Sequence, residues 1–527
     1  MDHDGPSLSI ALDATSETPL YRQIADQIIA RIQARLLPVG TRLPPSRALA
    51  ATLDTHRNTV VRAFEILVEE GWISGHVGRG SFVATRAPAP APLPARMGVA
   101  EPRATYSRGS FATADAGGGQ PWQALMSRAV NTEPLRRARR LGTQAPSDAI
   151  NLARMQPSSD LIPHEAFRRC VDHVLRTQGA EALGYAPSQG VERLRVLIAE
   201  DLERSNVFAT PDDILVTTGS QQALDVVART LVNPGDVFLT EGPTYAGALS
   251  ILCASGADVI GIPSDEDGPD FAALGRAATR RPKGFYVMPN CRNPTGASMT
   301  AARRAELVRW SNEAQVPLVE DDYDSDLVFE EGAFLPPLRS MSSEVLHLRT
   351  YSKKLIPALR VGFVVCPPAL RGPMTSLKHA MDLGTSALLQ HALAEFLARG
   401  LMRAHIAEVC AAYRARRDAL VEALARALPK AITFRVPDRG VIVWLEIPPG
   451  LDPEHVYQEA RHEGVLVSPG SADTGGATGP NGLRLTYCAE PPERLAEGAK
   501  RLGRALHRAL QHAGRSDGPA SVDLAGA

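Results

Sequence analysis

Between residues 214 and 366, seven short apolar, β-branched runs recur at 214–217, 237–240, 259–262, 285–288, 317–320, 345–349 and 361–366, most of them separated by helix-length segments. This alternation leaves little choice of fold. Parallel strands cannot be joined by a tight turn and need a crossover of a dozen or more residues, normally a helix. Repeated strand–helix units therefore predict a mostly parallel sheet covered by helices on both faces. In such sheets ligands sit beyond the carboxyl ends of the strands. The residues that follow each run are the first place to look for chemistry.

The 214–217 run leads into Thr218-Gly219-Ser220-Gln221-Gln222 at the start of a helix, whose first N–H groups and dipole suit a phosphate. Asn290-Cys291-Arg292-Asn293-Pro294-Thr295-Gly296 follows the 285–288 run, and Glu320-Asp321-Asp322-Tyr323-Asp324 ends the next. Thr350-Tyr351-Ser352-Lys353-Lys354 follows the 345–349 run, with Arg360 seven residues beyond Lys353. Alone, each has an ordinary structural explanation: many helices open with small polar residues, and a lysine near a strand end is usually solvated. Together, after successive strands, they form a set suited to pyridoxal phosphate. A lysine amine can condense with its aldehyde. A carboxylate keeps the pyridine nitrogen protonated, so that the ring acts as an electron sink. An arginine, hydroxyls and a helix N-terminus neutralise the phosphate, and an asparagine and a tyrosine can hydrogen-bond the phenolic oxygen. Beyond this sheet, runs at 432–436 and 441–447 pair as strands, and a helix, a strand at 483–487 and a helix at 492–510 complete a small α+β domain.

The first 86 residues follow a different pattern. After Pro19, Leu20, Ile24, Ile28, Ile32 and Leu36 recur every four residues, as on one face of a helix. Pro38 and Gly40 mark a turn, and Pro44-Pro45-Ser46 opens a short helix, proline being suited to a first turn. A third helix carries Val60, Val61, Phe64, Leu67 and Val68 as a stripe, and Trp72-Ile73 and Ser81-Phe82-Val83 flank a glycine-rich turn as a hairpin. Helix, short helix, helix and hairpin make a winged helix-turn-helix. Its third helix would offer His56, Arg57, Asn58 and Thr59 to base edges from its first turn, with Arg47 and Arg79 placed for phosphates. A small protein-interaction module with ordinary surface arginines has the same outline.

Composition sets the boundaries. Ala87 to Pro94 alternates alanine, leucine and proline, a stiff extended spacer. Arg86 to Asp148 holds nine arginines, no lysine and four acids, a local excess of five positive charges in a stretch of weak apolar periodicity. It reads as a solvated tether or as a supplementary DNA contact. The expected domains are 1–86, a linker over 87–148, a body over 149–512 and a frayed tail over 513–527. Across the chain, 57 Lys and Arg balance 58 Asp and Glu, which excludes a uniformly basic nucleic-acid coat. No apolar run is long enough to span a membrane. The acidic Met1-Asp2-His3-Asp4 start is unlike a signal peptide, and six scattered cysteines without a CxxC pair suggest reduced thiols in the cytoplasm.

Residues 20–83, with Leu43-Pro44-Pro45-Ser46-Arg47 and Arg57-Asn58-Thr59-Val60, resemble GntR-type winged-helix repressors. The resemblance implies double-stranded DNA as partner, touched by Arg47, Arg57, Asn58, Thr59, Gly78 and Arg79. Residues from about 150 to 512 resemble fold-type I aminotransferases. That likeness implies pyridoxal 5′-phosphate as cofactor, with Lys353 as its Schiff-base lysine and Asp321 on the pyridine nitrogen. It puts Asn293 and Tyr323 on the phenolic oxygen, Ser220, Gln221, Thr350, Ser352 and Arg360 on the phosphate, and Tyr245 against the ring. Arg484 would grip an amino-acid carboxylate, and Tyr185 would reach the phosphate of a partner subunit. Lys354 is the rival to Lys353; the Ser-Lys pairing and the seven-residue step to Arg360 favour Lys353.

The fusion resembles the MocR branch of GntR regulators: a multidomain chain with an α+β head, an α/β fold-type I body and a small α+β domain. The branch implies a head-to-tail homodimer and a regulator that senses an amine, an amino acid or the cofactor itself. Relatives often carry a histidine where this chain has Cys291. A working aminotransferase with an accessory DNA-binding head is the alternative.

Overall fold

The computed structural model describes residues 10–13, 19–34, 36–38, 40–69, 72–76, 80–83, 122–140, 148–330, 334–470 and 481–516. The chain divides into two compact units, Met1–Leu125 and Met126–Ala527.

In the first unit, α1 (Leu20–Gln33), α2 (Ser46–Thr52) and α3 (Arg57–Glu69) precede a hairpin of β1 (Ile73–His76) and β2 (Gly80–Val83). Prolines at positions 19 and 45 immediately precede the first two helices, their fixed φ leading the chain into the first turn. Ile24, Ile28, Leu49, Val60, Ala63, Leu67, Ile73 and Val83 close one core. The segment after α1 joins the hairpin through Gly40 N–H to Val83 O (2.8 Å) and Leu43 N–H to Ser81 O (2.9 Å). Two expectations change. Leu36 lies beyond the end of α1 and is 72% exposed, while Leu37 takes the buried position. On α3 the buried line is Val60, Ala63 and Leu67, and Val68, about 100° further round the helix, is largely exposed.

In the second unit, β3 (Ile150–Asn151) pairs in parallel with β13 (Val465–Leu466). All seven runs read from the sequence form one sheet: β4 (Ile214–Thr217), β5 (Val237–Gly242), β6 (Asp258–Pro263), β7 (Phe285–Val287), β8 (Leu318–Asp321), β9 (Leu346–Thr350) and β10 (Gly362–Val365). Their order is β4-β10-β9-β8-β7-β5-β6. Only β10 is reversed. It runs antiparallel to both β4 and β9, so the other six share one direction. Helices such as Ser220–Leu231 and Ala301–Ala314 cross over between strands, and most of the sheet's strands are buried along their length.

The small domain is an antiparallel sheet of β11 (Thr433–Phe434), β12 (Ile442–Glu446), β15 (Gly482–Thr486) and β14 (Ser468–Pro469), in that order. Leu420, Leu424, Val443, Leu485, Leu502 and Leu506 tie this sheet to the long helices Leu401–Ala427 and Pro492–Ser516. The last helix runs to Ser516 and so takes in the first four residues of the expected tail. Part of the region expected as a tether is also ordered: helix Glu133–Arg140 packs on helix Ala246–Ala254. Among the described residues no helix is long and apolar enough to cross a membrane.

Leu67 is fully buried in the head, so Leu67→Ala removes its contacts and leaves a cavity, costing about 2–5 kcal/mol. Amide exchange should report loss of protection in α1 and α3.

Candidate functional site

The reversal of β10 assembles the site. Gly362, its first residue, pairs with Thr217 at the end of β4 and with Thr350 at the end of β9. Arg360, two residues earlier, is thereby brought to the carboxyl edge of the other strands, beside Thr218 to Ser220. It adopts a left-handed backbone (φ 48°), and its Nη2 donates to Thr218 O at 3.2 Å. Gly219 has φ +80°, and a Cβ there would lie 2.7 Å from Arg360 Nη2. A Cβ on Gly362 would come within 2.8 Å of Gly219 C and 2.9 Å of Ser220 N. Only glycines allow these backbones to meet around the guanidinium. Helix Ser220–Leu231 starts here without a side-chain cap, leaving its first N–H groups for an anion. Thr350 Oγ1 donates to Ser352 Oγ (3.0 Å), and Tyr245 Oη donates to Gln221 Oε1 (3.1 Å).

Lys353 and Asp321 lie at the ends of adjacent parallel strands. Lys353 Nζ donates to Met155 O at 2.7 Å, and burial, with Arg484 and Arg360 nearby, holds its pKa below the ordinary lysine value. Asp321 is buried; its Oδ2 accepts from Tyr286 Oη at 2.7 Å, while its Oδ1 is buried with no hydrogen-bond partner. Burial raises the carboxyl to about 6, against the opposing effect of the Tyr286 hydrogen bond. Such an orphaned oxygen is costly, and a hydrogen-bond donor from outside the chain, such as a protonated ring nitrogen, would satisfy it. Lys354 is engaged elsewhere: it is buried, ion-paired with Asp326 and set over the Tyr351 ring at 5.1 Å.

Asn293 sits in a loop anchored from below. The preceding Arg292 is buried, pairs with Glu241 at 3.1 Å and donates to Asp265 O at 2.5 Å. Asn293 Oδ1 accepts from Arg484 Nη1 at 2.9 Å, and Arg484 Nη2 donates to Ala153 O at 3.2 Å. Arg484 Nε is buried without a partner. Tyr323 Oη donates to Cys291 O at 2.6 Å. The structure thus brings Lys353, Asp321, Tyr323, Asn293, Arg484, Thr350, Ser352, Arg360, Ser220, Gln221 and Tyr245 to one edge of the body. Tyr185 is 88% exposed and contributes nothing to it within its own chain. Sequence reasoning missed Tyr286, Met155 and the Glu241–Arg292 pair. Tyr286 lies inside an apolar strand and Met155 far upstream, and no local pattern marks either. A cleft of about 870 Å³ lies apart from the Lys353 site, lined by Thr295, Gly296, Arg435, Arg439, Ile442 and Trp444 among others.

In the head, Arg47, Arg57 and Asn58 are exposed and Thr59 is half-buried. Arg62 pairs with Glu65 (3.1 Å), whereas Arg47 and Arg57 make no ion pair with another described residue. Gly78 and Arg79 lie outside the described residues.

Residues 147–502 match the family Aminotransferase class I and II, and residues 20–83 match Bacterial regulatory proteins, gntR family. The chain is 30% identical to a probable rhizopine catabolism regulatory protein, MocR, from Rhizobium meliloti, over 96% of this chain and 97% of that protein. It is 35% identical to a 2-aminoadipate transaminase of Thermus thermophilus over 69% of this chain and 91% of that one. A crystal structure of an α-aminoadipate aminotransferase from the same organism, complexed with N-(5′-phosphopyridoxyl)-L-leucine, superposes with a TM-score of 0.69 at 32% identity. It covers 75% of this chain and all of that one. Fold and relatives together define a DNA-binding head of gntR type joined to an aminotransferase-like body whose cofactor is pyridoxal 5′-phosphate. The chain belongs to the MocR-type gntR regulators.

Asp321 provides a test independent of function. Its folded pKa lies above the ordinary 3.8, so the cofactor-free protein binds this proton more tightly than the unfolded chain does. That contribution stabilises the fold as pH falls from above 6 towards 4 and is absent at higher pH, with a range on the order of 3 kcal/mol. Asp321→Asn should flatten this part of the stability–pH curve in urea unfolding. It should also weaken cofactor binding about 10- to 150-fold, the value of one charge-assisted hydrogen bond.

Proposed function

We propose that the protein regulates transcription by sensing, through its body, a primary amine such as an amino acid, or the level of the cofactor itself. The observation that carries this reading is Asp321 Oδ1, a buried oxygen without a partner, close to a lysine whose burial favours the uncharged amine. Bound there, the cofactor supplies an aldehyde that condenses with amines. Lys353 presents the resident amine. Asp321 holds the proton on the ring nitrogen, and Asn293 and Tyr323 orient the ring through its phenolic oxygen. Ser220, Gln221, Thr350, Ser352 and Arg360 hold the phosphate, and Tyr245 covers the ring. Tyr185, exposed on its own chain, reaches the partner's phosphate in a head-to-tail dimer.

Arg484 takes the carboxylate of an amino-acid effector. Its bond to Asn293 then links effector and cofactor, because a carboxylate that claims the guanidinium releases Asn293 Oδ1. An effector amine competes with Lys353 and favours one arrangement of heads and bodies over another. It can move that balance only by as much as it prefers one state. In the head, Arg57, Asn58 and Thr59 read the major groove from the first turn of α3, and Arg47 and the wing at Gly78 and Arg79 hold phosphates.

The kinship with a transaminase supports a second reading, an active aminotransferase carrying a DNA-binding head. Formation of glutamate from 2-oxoglutarate at about one turnover per second or faster would favour it.

The test is binding to the DNA upstream of the protein's own gene and its neighbour, using cofactor-loaded, cofactor-free and Lys353→Ala protein. Affinity that changes with cofactor or amine, and a Lys353→Ala variant that has lost the amine response, are expected. An amine response that survives in Lys353→Ala would sink the displacement mechanism. Absence of DNA binding in all three would bring the enzyme reading forward.

A further inference from the structure

A second cluster of chemistry-bearing side chains lies in the small domain, on elements that hold none of the Lys353 site. Helix Pro453–His462 packs against the terminal helix Pro492–Ser516. His455 and Glu459 stand one turn apart on the first helix, hence on one face, and His512 comes from near the end of the second. One donor atom of each lies within 4.8 Å of the other two. The two imidazoles have centroids 6.2 Å apart and planes tilted by 41°, so they converge without stacking face to face.

We propose that His455, Glu459 and His512 bind a divalent transition metal ion, with Zn²⁺ the best match. Two imidazole nitrogens and one carboxylate oxygen are a three-ligand set that zinc takes, with water completing a tetrahedron. Donors about 2.0–2.1 Å from the ion lie roughly 3.3 Å apart in that geometry. The three atoms, all within 4.8 Å of one another, would have to draw closer to reach this spacing. His455 and Glu459 are half-buried and His512 is exposed, so an ion enters from solvent. Ligands from mixed nitrogen and oxygen donors disfavour calcium and magnesium, which prefer oxygen alone.

Arg508, one turn before His512, sets the carboxylate. Its Nε donates to Glu459 Oε2 at 3.1 Å, and its Nη1 donates to Glu463 Oε1 at 2.5 Å. It orients Glu459 from the protein side, as partners outside a metal's own ligands commonly do, and Glu463 offsets its charge. The ion cross-links the helix that starts at Pro453 to the helix that ends the described chain. It stabilises their contact by mass action, because a metal that binds only the folded state raises stability.

The experiment uses the full-length, tag-free, cofactor-loaded protein, stripped with a chelator and titrated with Zn²⁺ by calorimetry, with Co²⁺ absorption reporting ligand geometry. One ion per chain is expected, with affinity lowered more than about 100-fold in His455→Ala and in His512→Ala. The cofactor absorbance should stay unchanged. His512 is exposed near a helix end, so its variant remains folded and keeps the test decisive. Zinc binding of equal strength in wild type and His512→Ala would place the ion elsewhere and overturn the proposal. Binding weaker than about 1 mM in the wild type would also overturn it, as a chance grouping of side chains.

Discussion

β10 runs against both its neighbours, so its first residue, Gly362, lies level with the last residues of β4 and β9, Thr217 and Thr350. The chain leaving β9 must therefore turn and re-enter the sheet at the edge where six strands end. Lys353 and Arg360 sit on that short return, which closes through the 3₁₀ turn Pro357–Leu359. The seven-residue step between them lies within the eleven residues, 351–361, that separate β9 from β10, so a lysine and an arginine share one rim. Opposite the turn, helix Ser220–Leu231 begins at Gly219, whose missing Cβ leaves the space that the Arg360 guanidinium occupies. A strand of ordinary direction here would carry Arg360 to the far edge of the sheet and leave the start of helix Ser220–Leu231 without its cation.

The second constraint is electrostatic. Glu320, Asp321, Asp322, Asp324 and Asp326 crowd the end of β8, in surroundings where isolated carboxylates are costly. Glu320 is satisfied by the N–H groups of Leu338 and Arg339 and by His347 at 2.8 Å. Asp322 accepts from Asn290 at 2.9 Å and Ser325 at 2.7 Å. At Asp326 burial alone would raise the carboxyl, but Arg349 and Lys354 more than offset it and hold it well below the usual range. The Asp324 carboxylate has no hydrogen-bond partner among the described residues, and burial with Asp322 nearby pushes it well above that range. Asp321 is the intermediate case, with one oxygen held by Tyr286 and the other free. Glu320, Asp322 and Asp326 have partners of their own, whereas Asp321 keeps one buried oxygen without any.

Much of this was legible in the sequence, because the seven runs are β-branched, evenly apolar and well punctuated. The chemistry follows them directly, so finding the strands finds the edge. The turns of the head were equally plain from Pro19, Pro45, Gly40 and the glycines of the hairpin. What stayed hidden depends on contacts distant in sequence. Leu36 continues the four-residue repeat and Leu37 does not, yet the packing of the head buries Leu37 and leaves Leu36 exposed. The 133–140 segment has too few apolar residues to announce itself; its place comes from helix Ala246–Ala254. Tyr286 meets Asp321 from 35 residues away, and Glu241 meets Arg292 from 51. Spacing alone ranked Lys353 over Lys354, whereas Asp326, which occupies Lys354, offered no local sign of doing so.

The central claim is that Lys353 is the amine that carries the cofactor at this edge. It is tested most directly by loading the protein with pyridoxal 5′-phosphate, reducing with borohydride and mapping the pyridoxyl-labelled peptide by mass spectrometry. The label should fall on Lys353, with Lys354 unmodified and no label retained by the Lys353→Ala variant. A label on Lys354, or one spread over surface lysines in wild type and variant alike, would contradict the assignment and the site built on it.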